Sequence, residues 1–167
     1  MRPKVVGHSS IDVLAVPEGG KVGWNRILCA IDGSPFGETA LERALALARL
    51  QGGEMFVVSA TDLPPEFCEE IPAFAEGLVK ETRMRVKSAE ERLKRENVAV
   101  RCFLKEGSAY GAILDLATEK NVDVIVIGSH DRTGFKRLLM GSVVERVLAR
   151  TPSPVLVVKN PSKEIHK

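Results

Sequence analysis

From Arg26 onward the chain alternates between two hydrophobic periods. Short unbroken apolar runs, "RILCAI", "EMFVVSA", "VDVIVIG" and "SPVLVVK", read as strands buried on both faces. Between them lie longer segments whose apolar residues return every three or four positions, as on amphipathic helices. The first, "SPFGETALERALALARLQGG", has Ser34 at the cap, Pro35 at the first helical position and Glu38 in the first turn. Leu41, Ala44, Leu45 and Ala48 form its apolar face, and Gly52-Gly53 end it. A long helix is predicted over about 74–96, with Leu78, Met84, Val86, Ala89 and Leu93 turned inward and a mixed-charge outer face. "VAVRCFLKEG" alternates only in part and reads as a strand near an edge, whereas "VDVIVIG" is the most hydrophobic and reads as central. "SAYGAILDLATEK" and "LLMGSVVERVLART" predict the remaining helices, the second stopped before Pro152 and Pro154. Thr61 to Ala73, with three prolines and four acids, reads as a loop or a short irregular piece.

Strands separated by helix-length crossovers predict an α/β domain: a doubly wound, five-stranded parallel sheet, Rossmann-like, with an extra N-terminal strand. In such sheets ligands sit beyond the carboxyl ends of the strands, where the winding reverses. Two unusual loops, "IDGS" and "GSHDRTG", both follow strands and are expected to converge on that edge. The extra strand comes from "IDVLAVP" at 11–17, which resembles "SPVLVVK" at 153–159. The expected division is an extension over 1–24, a relic of an upstream repeat, then the domain over 25–160 and a tail over 161–167. The extra strand is expected to pad the sheet edge beside the last strand, because a free apolar edge invites aggregation.

Composition narrows the partners. A formal charge of +2 is too small to single out nucleic acid or an anionic membrane. No apolar run approaches the roughly 20 residues that span a bilayer, and the N-terminal stretch is broken by Asp12, so a cytoplasmic location is expected. Cys29, Cys68 and Cys102 lack metal or redox spacing, and His8, His130 and His166 form no cluster.

The candidate chemistry lies in "GSHDRTGFKRLLMGS", Gly128 to Ser142. Glycines flank a basic, hydroxyl-bearing segment between a strand and a helix, an arrangement that holds phosphate on backbone amides and a helix N-terminus. Asp131 places a carboxylate inside that segment, offset by His130, Arg132, Lys136 and Arg137. Ser34 reads as a helix cap, since no histidine is placed to activate it.

"ILCAIDGSPFGETALERAL", "MFVVSATD" and "IGSHDRTGFKRLLMGSVVERVLARTPSPVLVVK" together resemble the universal stress protein family, over about 25–159. In its nucleotide-binding branch the last block reads G-x-x-G, nine residues, then G-[ST]. Here Gly128, Gly141 and Ser142 match and Asp131 replaces the second glycine. The resemblance implies an adenine nucleotide, ATP; separately, a Mg or Mn ion bridging the Asp131 carboxylate and the phosphates would reverse their repulsion. It also implies that Ala30, Asp32, Ala60 and Ile127 border the adenosine. Gly128, His130, Asp131, Arg132, Gly141, Ser142 and Val143 would then surround the phosphates. A homodimer through the last strand, Pro154–Val158, is implied as well. Three functions stay open: a nucleotide-binding regulatory module with little turnover, a dimeric interaction protein without nucleotide, and a slow ATP hydrolase. The hydrolase lacks a G-K-[ST] lysine.

Overall fold

A computed structural model describes residues 6–7, 9–129 and 140–159. His130, Asp131 and Arg132 lie outside the described residues. The strands are β1 (Val13–Ala15), β2 (Arg26–Ala30), β3 (Glu54–Ala60), β4 (Val100–Lys105), β5 (Val124–Gly128) and β6 (Val155–Val158). The helices are α1 (Pro35–Gln51), α2 (Pro65–Glu70), α3 (Pro72–Lys94), α4 (Ala109–Glu119) and α5 (Ser142–Arg150). One sheet runs in the order β1-β6-β5-β2-β3-β4. Strands β2 to β6 are parallel, and β1 joins β6 antiparallel.

The chain leaves β2 toward β3 and β4, then returns to build β5 and β6 on the other side. The winding therefore reverses between β2 and β5, where Ala30 is paired with Ile127. Alternation along these strands feeds two apolar layers. Leu28, Phe56, Ile125 and Val155 enter one layer with Ile113 and Leu116 of α4 and Val147 of α5. Ile27, Met55, Val57, Val124 and Val126 enter the other with Leu41 and Leu45 of α1 and Leu93 of α3. Each fully buried aliphatic chain contributes about 1.5–3 kcal/mol, which is why these strands read as unbroken hydrophobic runs.

Helix α1 forms as its sequence predicts. The Ser34 hydroxyl accepts from Gly37 N at 3.1 Å, and Gly52 closes the helix at φ 67°. Two expectations change. The segment after β3 contains α2, because Pro65 and Pro72 stand in the first turns of α2 and α3, where a missing N–H costs nothing. Met84 does not face inward but is 64% exposed; the stripe of α3 that meets the sheet holds Thr82, Ala89 and Leu93. Met84 follows Thr82 by two positions, about 200° around a helix, which sends it to solvent.

Cys29 and Cys102 lie on β2 and β4. Burial raises both thiols, Cys102 to about 11, so neither is poised to react at neutral pH. Cys68 is exposed on α2.

β1 pads the sheet as expected, with Val13 opposite Val157, Leu14 opposite Leu156 and Ala15 opposite Val155. The homodimer implied through Pro154–Val158 would use this same strand, β6. The outer backbone edge of β6 is already paired within the chain, so it is closed to a second copy while β1 is seated.

Candidate functional site: a cleft at the carboxyl edge of the sheet

Three strand ends, β2, β3 and β5, open into a cleft of about 600 Å³. Its floor is made by Ala30, Val58, Ala60 and Ile127. Ala30 lies between Val58 and Ile127 in the sheet register, so two short side chains, Ala30 and Ala60, leave flat apolar space above the strand ends. A heteroaromatic ring fits such a floor, and the volume falls within the range of small-molecule sites. The expected site residues Ala30, Asp32, Ala60, Ile127, Gly128, Gly141, Ser142 and Val143 all line this one cleft. His130, Asp131 and Arg132 lie outside the described residues.

On one side stands the β2–α1 turn. Asp32 Oδ1 accepts from Ser34 N at 2.9 Å and from the Ser34 hydroxyl at 2.5 Å. The same hydroxyl caps α1, so Asp32 is held through the cap. Asp32 Oδ2 has no hydrogen-bond partner among the described residues. Gly128 meets this turn from β5: a Cβ there would lie 2.5 Å from the Phe36 carbonyl oxygen. The glycine therefore has a packing reason, the close approach of β5 to the first turn of α1.

On the other side, α5 starts at Gly141, which caps with extended backbone but offers no side-chain acceptor. Two other helices at this edge are differently supplied. Ser34 caps α1, and Ser108 accepts from Gly111 N at 3.3 Å at the start of α4. Asp62 Oδ1 also accepts from Ala109 N at 2.9 Å. Among the described residues, the first turn of α5 thus has no side-chain cap, and its N–H groups and the positive end of its dipole border the cleft.

A wall from α3 was not expected from the sequence. Leu78, Glu81, Thr82 and Arg85 face the cleft. Arg85 donates to the Ser59 hydroxyl at 3.1 Å and to Glu81 at 3.2 Å, and Ser59 donates to Ile31 O at 2.8 Å. The guanidinium lies across the β2–α1 turn. Gly33 there has φ 80°, and a Cβ on it would lie 2.7 Å from Arg85 Nε. The signal was present as spacing. Residues 78, 82, 85, 89 and 93 recur at four- and three-residue steps, with Thr82 and Arg85 as polar members of an otherwise apolar stripe.

A model of the universal stress protein family matches residues 23–159. The chain belongs to this family. Universal stress protein MJ0531 of Methanocaldococcus jannaschii is 31% identical over 147 residues, spanning 84% of this chain and 85% of that one. The solved structure of the hypothetical protein MJ0577, from the same organism, matches with a TM-score of 0.72 at 28% identity, over 83% of this chain and 98% of that one. A universal stress protein solved in complex with cAMP shares the fold at TM-score 0.62 and 21% identity, over 80% of this chain and 96% of that chain.

In this universal stress protein the charge of the cleft is uneven. Among the described residues lining it, Arg85 is the single cation, against the carboxylates of Asp32, Asp62 and Glu81. Arg85 already serves Ser59 and Glu81. Among the described residues, the remaining favourable potential for an anion lies at the start of α5. No described helix is long and apolar enough to cross a membrane.

Proposed function

We propose that this universal stress protein binds an adenine nucleotide, ATP, in the cleft and acts as a regulatory module with little or no turnover. One observation carries the reading. A flat apolar floor and an uncapped helix N-terminus share one cleft, so the base and the phosphates of a single ligand each meet a suitable surface. The adenosine rests on Ala30, Ala60 and Ile127, with the free oxygen of Asp32 available to a ribose hydroxyl. The phosphates lie against Gly141, Ser142 and Val143. The cAMP complex of the fold relative supports an adenine nucleotide as ligand class. Asp32 Oδ1 is engaged by the Ser34 amide and hydroxyl, which supports a role in holding the ligand.

By the sequence motif Asp131 belongs among the phosphate-binding residues, where a divalent cation would be needed to offset its charge. A carboxylate about 4 Å from a phosphate oxygen costs about 1 kcal/mol in water and several times more in a partly buried site. A Mg or Mn ion held by that carboxylate would offset the repulsion. Calorimetric titration of ATP, with and without Mg or Mn, tests this on the parent and on Asp131→Gly. Without metal the variant should bind at least about fivefold more tightly. With metal the gap should narrow. A variant that binds no better than its parent without metal contradicts the charge argument. If neither binds under any condition, the interaction-protein reading replaces the nucleotide reading.

A further inference from the structure

Thr82 stands where the stripe of α3 calls for an aliphatic side chain. It shares that inner stripe with Ala89 and Leu93 and is 2% exposed. Thr39 and Thr118, on outer helix faces, bond back to the carbonyls of Pro35 and Leu114 at 2.9 and 3.0 Å. The Thr82 hydroxyl makes no such bond, nor any other among the described residues. A buried hydroxyl left unpaired is destabilising, so one that persists calls for a reason. Among the described residues, the side-chain polar atom that is both sealed in and unpartnered is Arg26 Nε. The Thr82 hydroxyl therefore keeps an outlet, and the residue lines the cleft.

The sheet order says which part of a ligand reaches it. β5, with the start of α5, stands on one side of β2, and β3 stands on the other. α3 packs over β3 and β4. A ligand with phosphates at Gly141 and its ring on Ala30 and Ala60 therefore ends beneath α3, its base edge toward Thr82. That end of the cleft is rich in acceptors. Asp62 and Glu81 border it, and the Arg85 guanidinium is engaged by Ser59 and Glu81. A base edge that donates suits such surroundings, and one that only accepts does not.

We propose that Thr82 is a specificity residue of the cleft. Its hydroxyl accepts from the exocyclic amine of adenine and favours a 6-aminopurine over a ring without that amine. The inference rests on the nucleotide reading above. A site that bonds a ligand N–H discriminates against the analogue lacking it, because the site's own polar group then stays unpaired.

Calorimetry on the full chain, with Mg present, tests it in the parent, Thr82→Val and Thr82→Ser. The ligands are ATP and purine riboside 5′-triphosphate, which lacks the amine. Valine keeps the branched shape and removes the hydroxyl, whereas serine keeps the hydroxyl. The parent should prefer ATP by about three- to tenfold, as one hydrogen bond gives. Thr82→Val should lose that preference: ATP weakens by the same factor, and the analogue binds as before. Thr82→Ser should retain it. Without ligand, the melting temperature of Thr82→Val should hold or rise, since an unpaired buried hydroxyl has gone. A merely structural threonine would lower it and weaken both nucleotides alike. The inference is overturned if Thr82→Val binds ATP as the parent does, if it weakens both ligands equally, or if Thr82→Ser loses the preference. A parent that binds both ligands equally also overturns it and leaves the nucleotide reading standing. A parent that binds neither overturns the nucleotide reading and this inference together.

Discussion

Gly141→Asp is expected to abolish ATP binding, by about a hundredfold or more, without loss of the fold. Gly141 caps α5 at φ −61° and ψ 149°, which any L residue adopts. Aspartate is a better cap than glycine by a few tenths of a kcal/mol, and its charge suits the helix dipole. The melting temperature should hold or rise slightly. The same carboxylate takes the seat proposed for phosphate. It withdraws amide donors worth about 1.5–3 kcal/mol to a charged acceptor and adds repulsion of about 1–4 kcal/mol. Their sum, at about 1.4 kcal/mol per decade, sets the expected loss. Calorimetry reads the binding, and a thermal melt reads the fold. Unchanged affinity would remove the anion from the start of α5.

Gly128→Ala should harm both stability and binding. The new methyl would sit 2.5 Å from the Phe36 carbonyl oxygen and 2.6 Å from its carbon. Those atoms are backbone in the first turn of α1, fixed by the Ser34 cap, so they cannot rotate aside. The end of β5 must move away from α1. Such overpacking costs about 1–3 kcal/mol, a fall in melting temperature of roughly 3–10 °C in a chain of this size. ATP affinity should fall at least about tenfold, because the floor and one wall of the cleft are displaced together. Gly77 supplies the contrast. It lies inside α3 with nothing within 4 Å of an added Cβ, so Gly77→Ala should stabilise by about 0.5–1 kcal/mol. A Gly128→Ala protein as stable as its parent would contradict the close approach of β5 to α1.

The parts of the fold governed by local chemistry were legible in the sequence. The Ser34 cap, the 41/44/45/48 face and the Gly52 stop of α1 each follow from one turn of chain. The interior place of β5 and the edge place of β4 follow from how apolar each strand is. The cleft was legible only in its backbone half. Strand ends and glycines point to that edge, whereas Arg85 and Thr82 reach it from a helix whose charges, read alone, suggest a solvated surface. Met84 failed for the same reason: hydrophobicity was weighed residue by residue, while the tertiary stripe admits polar members that find partners such as Ser59. α2 escaped because prolines break helices in their interior yet start them well. The β6 edge was read as needing cover, and the likeness of residues 11–17 to 153–159 pointed to the strand that supplies it.

The most direct measurement is an amide and methyl NMR titration of the isotope-labelled full chain with ATP and Mg. Saturating shifts should be largest at the amides of Gly141, Ser142 and Val143 and at the methyls of Ala30, Ala60 and Ile127, with α2 and the β4 edge unmoved. Shifts confined to another surface, or none at millimolar ATP, would contradict the account.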